Sequence, residues 1–278
     1  MFKSILLPID GSEYSATATK YAVQAAEHYK ASITALYVVD VKKLAAPLIN
    51  DMATCLGISS VPNLEETYRN TLKQVGETAL EVCGRKCRLA NVKCVTKLRS
   101  GIVSDIICQE AHSVDLVIMG HRGEASDWGS SIFGSVFEAT IRQINRPVFI
   151  VTKYKQQISK VLVAYDGSNH ASNVLKIAAD LCATEEIPIH VLVAGFMEDE
   201  EERLVAEIDA YLKAHELSWQ LEKAAGDPAE AIIVKAKEIN ADVIAMGAYG
   251  HSRIKELLVG STTEYVLRNA TCPVLVYR

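Results

Sequence analysis

The sequence lacks the long apolar run that a membrane-spanning helix needs. In its 278 residues, no uninterrupted apolar stretch reaches the roughly 18 residues that mark a transmembrane candidate. Near the start, the apolar run at residues 5–9 is broken by Pro8 and ends at Asp10, so it fails as the apolar core of a secretion signal. The seven cysteines are odd in number, which argues against a disulfide framework. These absences predict a cytoplasmic protein with no membrane span.

An excess of positive charge is also missing. The formal net charge is −5, with 29 lysines and arginines against 34 acidic residues. An acidic surface offers no counter-charge to nucleic acid or to an anionic membrane, which argues against a general affinity for either and leaves a local basic patch as the alternative. A hydrophobic content of 49% is instead typical of a folded protein with a sizeable core, and the length suits two domains.

Three sequence markers occur twice in the same order. Residues 3–12, KSILLPIDGS, return as residues 159–168, SKVLVAYDGS. DLVIMG at 115–120 returns as DVIAMG at 242–247, and RPVFIV near the end of the first half matches CPVLVY near the end of the second. Such ordered self-similarity indicates a duplicated domain. We refer to residues 1–152 as the first copy, to residues 159–278 as the second copy, and to the polar stretch between them as the linker.

Short β-branched runs alternate with helical patterns in each copy. In the second copy, residues 200–215 place apolar side chains on one helical face, as an amphipathic helix should. Strands that are apolar on both sides and alternate with helices predict a parallel sheet covered on both faces. We therefore expect two tandem, doubly wound, five-stranded α/β domains. The first copy carries about 30 extra residues near positions 41–70, for which a lid, a partner surface and a solvated loop are alternatives.

Residues 246–267 of the second copy, MGAYGHSRIKELLVGSTTEYVL, contain three glycines and two consecutive threonines. This stretch begins where a strand ends, at the edge where open α/β sheets bind ligands. Glycines there let backbone approach a ligand, and the start of the following helix offers free N–H groups and hydroxyls to an anion. Taken singly, each residue is more simply explained by loop shape or helix capping. In combination they predict a phosphate site.

The spacing of Gly247, Gly250, Gly260 and Ser261 resembles a family signature. It matches the G-x2-G-x9-G-[S/T] pattern of ATP-binding universal stress proteins. The DGS after the first strand and CPVLV as the last strand are also similar to that family, and the resemblance covers essentially the whole chain as two tandem domains. It implies a Rossmann-like fold of the adenine nucleotide alpha hydrolase type and a regulatory, stress-response role for ATP, ADP or AMP binding.

The resemblance also implies which residues of the second copy would contact the nucleotide. Asp166 would meet the ribose or adenine, and Val193 would meet adenine through its backbone. The ribose and phosphates would lie against the remaining positions, which are Met246, Gly247, Gly250, Arg253, Gly260, Ser261, Thr262 and Thr263. A magnesium ion beside the phosphates is compatible with this set, and no residue is expected to be catalytic.

The first copy departs from the signature. Ten residues instead of nine separate Gly123 from Gly134, and Phe137 stands where the second copy has Thr263. A second nucleotide site would use Pro8, Asp10, Met119, Gly120, Gly123, Gly134 and Ser135. We expect nucleotide in the second copy before the first, which is either altered or empty.

Signatures of hydrolytic chemistry are missing. The sequence contains no Gly-Lys-Ser/Thr of a P-loop, no His-Glu-x-x-His zinc helix and no Gly-x-Ser-x-Gly nucleophile elbow. Binding is therefore better supported than turnover, with slow ATP hydrolysis, a nucleotidyl transferase and a nucleotide-free interaction module as alternatives. The resemblance further implies pairing of the two last strands within the chain, and a homodimer is an additional expectation. The partner protein is unknown.

Cys83, Cys87 and Cys94 form a cluster in the sequence. The first two are four residues apart and would share a helix face, where sulfurs can bind metal or sense oxidants. Their spacing matches no strong zinc pattern, and buried cysteine is a common small core residue. The pattern therefore favours structural packing.

Overall fold

The computed structural model of the protein describes residues 2–44, 64–122, 135–152, 157–248 and 260–278. The chain divides into two compact units, an amino-terminal unit, Phe2–Gln143, and a carboxy-terminal unit, Ile144–Arg278. Strands and helices alternate in both, which confirms the predicted α/β class. None of the helices within these ranges is long and apolar enough to cross a membrane.

The amino-terminal unit contains four parallel strands in the order β3-β2-β1-β4. The strands are β1 (Ser4–Pro8), β2 (Ser32–Asp40), β3 (Cys94–Gly101) and β4 (Leu116–Gly120). The helices are α1 (Glu13–Tyr29), α2 (Val41–Leu44), α3 (Leu64–Leu89), α4 (Val103–Ala111) and α5 (Ser135–Gln143). Most of the predicted insertion, residues 45–63, lies outside the described residues.

The carboxy-terminal unit repeats this plan and adds two strands, in the order β5-β10-β9-β6-β7-β8. The strands are β5 (Val148–Val151), β6 (Val161–Ala164), β7 (Ile189–Ala194), β8 (Trp219–Ala224), β9 (Val243–Gly247) and β10 (Val274–Tyr277). The helices are α6 (Asn169–Glu185), α7 (Glu198–Ala214), α8 (Pro228–Glu238) and α9 (Ser261–Asn269). Helix α7 confirms the amphipathic helix predicted over residues 200–215.

The last strands of the two copies pair with each other, as expected. Strand β10 runs antiparallel to β5, with Val274 opposite Ile150 and Val276 opposite Val148. The other strand pairs of this unit are parallel. Because β5 is hydrogen-bonded to β10, the compact division falls between Gln143 and Ile144, before the last strand of the first copy. The domain boundaries at residues 152 and 159 stay a prediction.

The core follows from strands that are apolar on both sides. All six residues of β7 are buried, and so are the first four residues of β9. Because alternate side chains of a strand point to opposite faces, both faces of the sheet must be covered. In the sequence, helix α6 precedes β7 and helix α9 follows β9. The buried side chains of both helices are apolar or small.

The DGS motif forms the same turn in both copies. Asp10 Oδ1 accepts a hydrogen bond from Ser12 N at 3.0 Å, and Asp166 Oδ1 accepts one from Ser168 N at 3.0 Å. The glycine between them has φ +87° in one copy and +76° in the other, a conformation that glycine adopts without strain. Each serine then caps the following helix by accepting a first-turn N–H at 3.1 Å. The motif therefore fixes how the chain leaves the strand and begins the helix.

A carboxylate joins two strands at their amino ends in each copy. Asp242 Oδ2 accepts hydrogen bonds from Ser159 N at 2.7 Å, Ser159 Oγ at 2.8 Å and Lys160 N at 3.1 Å. Asp115 Oδ2 accepts the equivalent bonds from Lys3 N at 2.8 Å, Ser4 N at 3.0 Å and Ser4 Oγ at 2.9 Å. The aspartate that opens the repeated DLVIMG and DVIAMG motifs thus holds neighbouring strands in register.

We predict unequal losses of stability when these two aspartates are replaced. Asp242 is only 1% exposed, so Asp242→Ala removes a buried acceptor from three hydrogen bonds and should lower the free energy of unfolding by about 2–3 kcal/mol. Asp115 is exposed, so water can replace its carboxylate, and Asp115→Ala should cost about 1 kcal/mol or less. Urea denaturation of both variants measures the difference. Equal losses would contradict this account.

Candidate functional site

A cavity of about 350 Å³ lies in the carboxy-terminal unit. It is bounded by the carboxyl ends of β6, β7 and β9 and by the start of α9. Helix α8 contributes Pro228 and Ile232 to its wall. The volume falls within the range of small-molecule sites, and its place at the carboxyl ends of parallel strands is where this fold class binds ligands.

Most of the residues predicted for the second copy line this cavity. They are Asp166, Met246, Gly247, Gly260, Ser261, Thr262 and Thr263. Val193 is fully buried within β7, and the cavity is lined instead by its neighbours Leu192 and Ala194. Gly250 and Arg253 lie outside the described residues. The structure thus brings together positions separated by almost 100 residues of sequence.

Tyr165 fixes the strand end that carries Asp166. Its hydroxyl donates to Glu207 Oε1 at 2.6 Å and lies 3.1 Å from Ser172 Oγ. Burial, together with the hydrogen bond to Glu207, raises the pKa of Tyr165 to about 12, so its proton stays in place at neutral pH. Helices α7 and α6, which supply these partners, therefore hold one wall of the cavity.

Gly247, at the end of β9, lines the cavity and also lets the strand pack closely against α6. A Cβ at this position would lie 3.0 Å from Ala171 N and 3.0 Å from His170 Cβ, at the start of α6. Since real Cβ atoms are almost always farther away from such neighbours, a side chain here would push the helix outward. The glycine thus brings the end of β9 close to the beginning of α6.

The start of α9 faces the cavity without a capping side chain. Its N-cap is Gly260, whereas Ser168 and Asp227 cap α6 and α8 with side-chain oxygens. The first N–H groups of a helix have no partner within the helix and favour an anion. Thr263 Oγ1, which is buried, donates to Ala248 O at 3.0 Å. This hydrogen bond holds the first turn of α9 against the chain that follows β9.

Sequence reasoning missed the wall formed after β7. Gly195 and Phe196 line the cavity together with Pro228. Gly195 has φ +82°, and a Cβ there would lie 2.7 Å from Pro228 Cγ. The signal was available in the sequence, because a glycine directly after a buried parallel strand lies at the same sheet edge as Asp166 and Gly247.

The first copy reproduces only part of this arrangement. Gly120 packs closely like Gly247, since a Cβ there would lie 2.6 Å from Tyr14 Cβ. Pro8 ends β1, and Met119 is buried in β4. Gly123 and Gly134 lie outside the described residues, as does the side chain of Ser135, the first residue of α5. Phe137, the counterpart of Thr263, is buried, so an aromatic ring replaces the hydroxyl that joins α9 to β9.

Comparison with known proteins agrees with this geometry. A model of the universal stress protein family matches residues 1–152 and 193–278. The chain belongs to the universal stress protein family. The family model thus covers both copies except for residues 153–192, the stretch that includes β6 and α6.

Two relatives within the family span nearly the whole chain. Universal stress protein Slr1230 of Synechocystis is 29% identical over 99% of this chain and 100% of its own length. A universal stress protein of Mycolicibacterium smegmatis is 25% identical over 99% of this chain and 96% of its own length. The crystal structure of a universal stress protein from Archaeoglobus fulgidus, 24% identical, covers 99% of this chain and 98% of its own with a TM-score of 0.78. This last similarity establishes the tandem Rossmann-like fold.

We predict that the glycine missed by sequence reasoning is needed for the shape of this universal stress protein cavity. Gly195→Ala combines a positive φ with a clash against the Pro228 ring, so it should destabilise the chain by about 2–3 kcal/mol. Gly226→Ala is the matched control, because Gly226 has φ +93° but nothing within 4 Å of its Cβ position. The control should lose about 1 kcal/mol. Thermal unfolding of the two variants checks the difference, and equal shifts would rule out the steric contribution.

Proposed function

We propose that the carboxy-terminal unit binds an adenine nucleotide, with ATP as the principal ligand. The observation that carries this proposal is the cavity at the carboxyl ends of β6, β7 and β9, where Asp166, Gly247 and the start of α9 lie together. Occupancy of this site would set the conformation of the chain or its association with a protein partner, in keeping with membership of the universal stress protein family.

The phosphates would lie against the start of α9. Gly260 leaves the first-turn N–H groups uncapped by any side chain, and the helix dipole favours negative charge at this end. Ser261 is exposed and Thr262 is half-buried, so both hydroxyls are accessible to a ligand. Gly250 and Arg253 would complete the phosphate contacts.

The ribose and adenine would lie toward β6 and β7. Asp166 provides carboxylate oxygens that can accept hydrogen bonds from ribose hydroxyls. Apolar side chains of Leu192, Ala194 and Ile232 line the neighbouring wall and suit a flat aromatic base. The backbone around Val193 would contact the edge of the adenine. The site therefore offers a polar end for the phosphates and an apolar end for the base.

We infer binding rather than turnover. The sequence contains no Gly-Lys-Ser/Thr of a P-loop, and Asp166 is the one carboxylate among the described residues that line the cavity. Phosphoryl transfer is accelerated chiefly by cations and metal ions placed around the transferred group. Magnesium would enter, if at all, with the nucleotide. ADP and AMP remain alternative ligands because they share the adenosine part.

The first copy is proposed as an altered or empty site. Asp10 and Gly120 retain the turn and the close packing, but Phe137 fills the position of Thr263. The net charge of −5 supports a protein without general affinity for nucleic acid, and a cytoplasmic location is proposed as well. A homodimer is proposed in addition to the pairing of β5 with β10.

We expect purified chain to carry or bind about one adenine nucleotide. The protein would be denatured, its released nucleotides would be separated by chromatography, and stripped protein would be titrated calorimetrically with ATP, ADP and AMP, with and without Mg²⁺. One equivalent supports the second copy as the site, and two would mean that the first copy binds as well. Absence of binding in both assays would overturn the proposal. Phosphate release followed in parallel distinguishes binding from slow hydrolysis.

Ser261→Ala should weaken ATP binding by about tenfold to a hundredfold. The reason is that a hydrogen bond to a charged group contributes about 1.5–3 kcal/mol, and 1.4 kcal/mol corresponds to a factor of ten. Ser135→Ala, at the same signature position of the first copy, is the matched control and should leave the affinity unchanged. If Ser135→Ala weakened binding and Ser261→Ala did not, the site would have to be reassigned to the first copy.

A further inference from the structure

A cavity of about 530 Å³ lies between α1 and α3 of the amino-terminal unit. These helices correspond to α6 and α7 of the carboxy-terminal unit, because they connect the equivalent strands of the repeated fold. Among the described residues, the candidate nucleotide cavity is lined by parts of α8 and α9 and by none of α6 or α7. The cavity between α1 and α3 is therefore in a different place in the repeated fold.

The equivalent positions of α3 and α7 follow from their common end. Just after each helix stands a residue with positive φ, Asn91 at +54° and Glu216 at +55°. Counting back from these two residues gives the equivalent pairs, which include Ala79 with Leu204 and Cys83 with Ile208. The shared DGS turn aligns β1 and α1 with β6 and α6 in the same way. The two units can therefore be compared residue by residue around the cavity.

Four residues that line the cavity are smaller than their equivalents in the carboxy-terminal unit. The pairs are Ile9 with Tyr165, Thr19 with Leu175, Ala79 with Leu204, and Cys83 with Ile208. All four larger side chains are buried. They fill the space between α6 and α7, whereas the smaller set leaves room between α1 and α3.

The glycines of the two DGS turns show the same difference. A Cβ on Gly167 would lie 2.4 Å from Leu204 Cδ2. A Cβ on Gly11, which lines the cavity, would have no described atom within 4 Å. The space that Leu204 occupies in one unit is therefore open in the other, where Ala79 stands at the equivalent position.

The wall of this cavity suits an apolar ligand. Its threonines, Thr19, Thr71 and Thr78, each donate the hydroxyl proton to a backbone carbonyl of their own helix. Val75 and Val82 also line the cavity, and they are 44% and 38% exposed. An alkyl chain laid between the helices would remove both valines from water, which is favourable.

The cavity is elongated along α3. Residues of this helix line it at three- and four-residue spacing from Thr71 to Lys86, a length of about 22 Å at the helical rise. Helix α1 runs parallel to α3, because each helix returns the chain between two parallel strands of one sheet. An unbranched chain matches the space between two parallel helices better than a compact ring system does.

Lys86 gives one end of the cavity a positive charge. It is the one charged side chain among the described residues that line the cavity. The positions three and four residues away are Val82, Cys83, Leu89 and Ala90, so its own helix face offers no carboxylate. Within the part of the chain that the structure describes, Lys86 takes part in no ion pair. The cavity therefore combines an apolar wall with one cation that lacks a counter-charge.

We propose that the cavity between α1 and α3 binds a single-chain alkyl carboxylate. The chain lies along α3, and the carboxylate lies at Lys86. A carboxylate carries one negative charge, which one lysine balances, whereas a phosphate monoester carries about 1.5–2 and would need further donors. The bound chain takes the place that Leu204 and Ile208 fill in the other unit. The site is separate from the proposed nucleotide cavity.

The first test is calorimetric titration of the full-length chain with decanoate and with 1-decanol at pH 8. Decanoate should bind at about one molecule per chain. Lys86→Gln should weaken decanoate binding by about two- to fivefold, as expected for an exposed ion pair, and should leave 1-decanol binding unchanged. Lys73→Gln, on the same helix but outside the cavity, is the matched control and should change neither. No decanoate binding, or an equal loss for both probes, would overturn the proposal.

The second test fills the cavity with side chains of the other unit. Ala79→Leu introduces the equivalent of Leu204 and should weaken decanoate binding by about tenfold or more, because a packed side chain excludes the ligand. Thr19→Leu, from the α1 side, should act in the same direction. Lys73→Leu is the control for an added leucine and should bind decanoate normally. Thermal unfolding identifies the variants that are folded, and undiminished decanoate binding by either folded filling variant would rule out this site.

Discussion

The candidate site depends on the parallel register of β6 and β9. This register is held at one end by Asp242, whose carboxylate accepts three hydrogen bonds from Ser159 and Lys160. Parallel strands locked at their amino ends must also end at a common edge, because each residue adds the same rise along both strands. Asp166 and Gly247 therefore arrive together. The three hydrogen bonds of Asp242, at the amino ends of β6 and β9, thus help to bring Asp166 and Gly247 together at the carboxyl ends.

Close packing of glycine completes the same edge. Gly247 lets the end of β9 approach the start of α6, and Gly195 lets the chain after β7 approach Pro228. Thr263 then fastens α9 to Ala248 with a buried hydrogen bond. The first copy preserves the first of these contacts at Gly120, but Phe137 cannot form the last. The two copies thus differ at the start of their last helix, where phosphate would bind, and share the close approach of a strand end to the first helix at Gly120 and Gly247.

Much of this was predictable from the sequence, because the repeated markers lie on strands whose apolar pattern sets their burial. The two tandem α/β domains followed from the repeat, helix α7 followed from its amphipathic pattern, and the pairing of β5 with β10 followed from the family resemblance. The wall at Gly195 and Pro228 was missed because it depends on which strand ends are neighbours in space. The role of Asp242 was equally hidden, since only the folded register reveals its donors on Ser159 and Lys160.

The cysteines show what spacing can and cannot establish. Spacing identified Cys83 and Cys87 as neighbours on one helix face and favoured packing, and both are buried on α3. It could not show that Cys94 would be the first residue of β3, because where a strand begins relative to a distant helix depends on the folded sheet. Burial favours the neutral form of a thiol, which suits a side chain that packs in the core. Periodicity therefore predicts which side chains share a helix face, whereas contacts between a helix and a strand follow only from the tertiary structure.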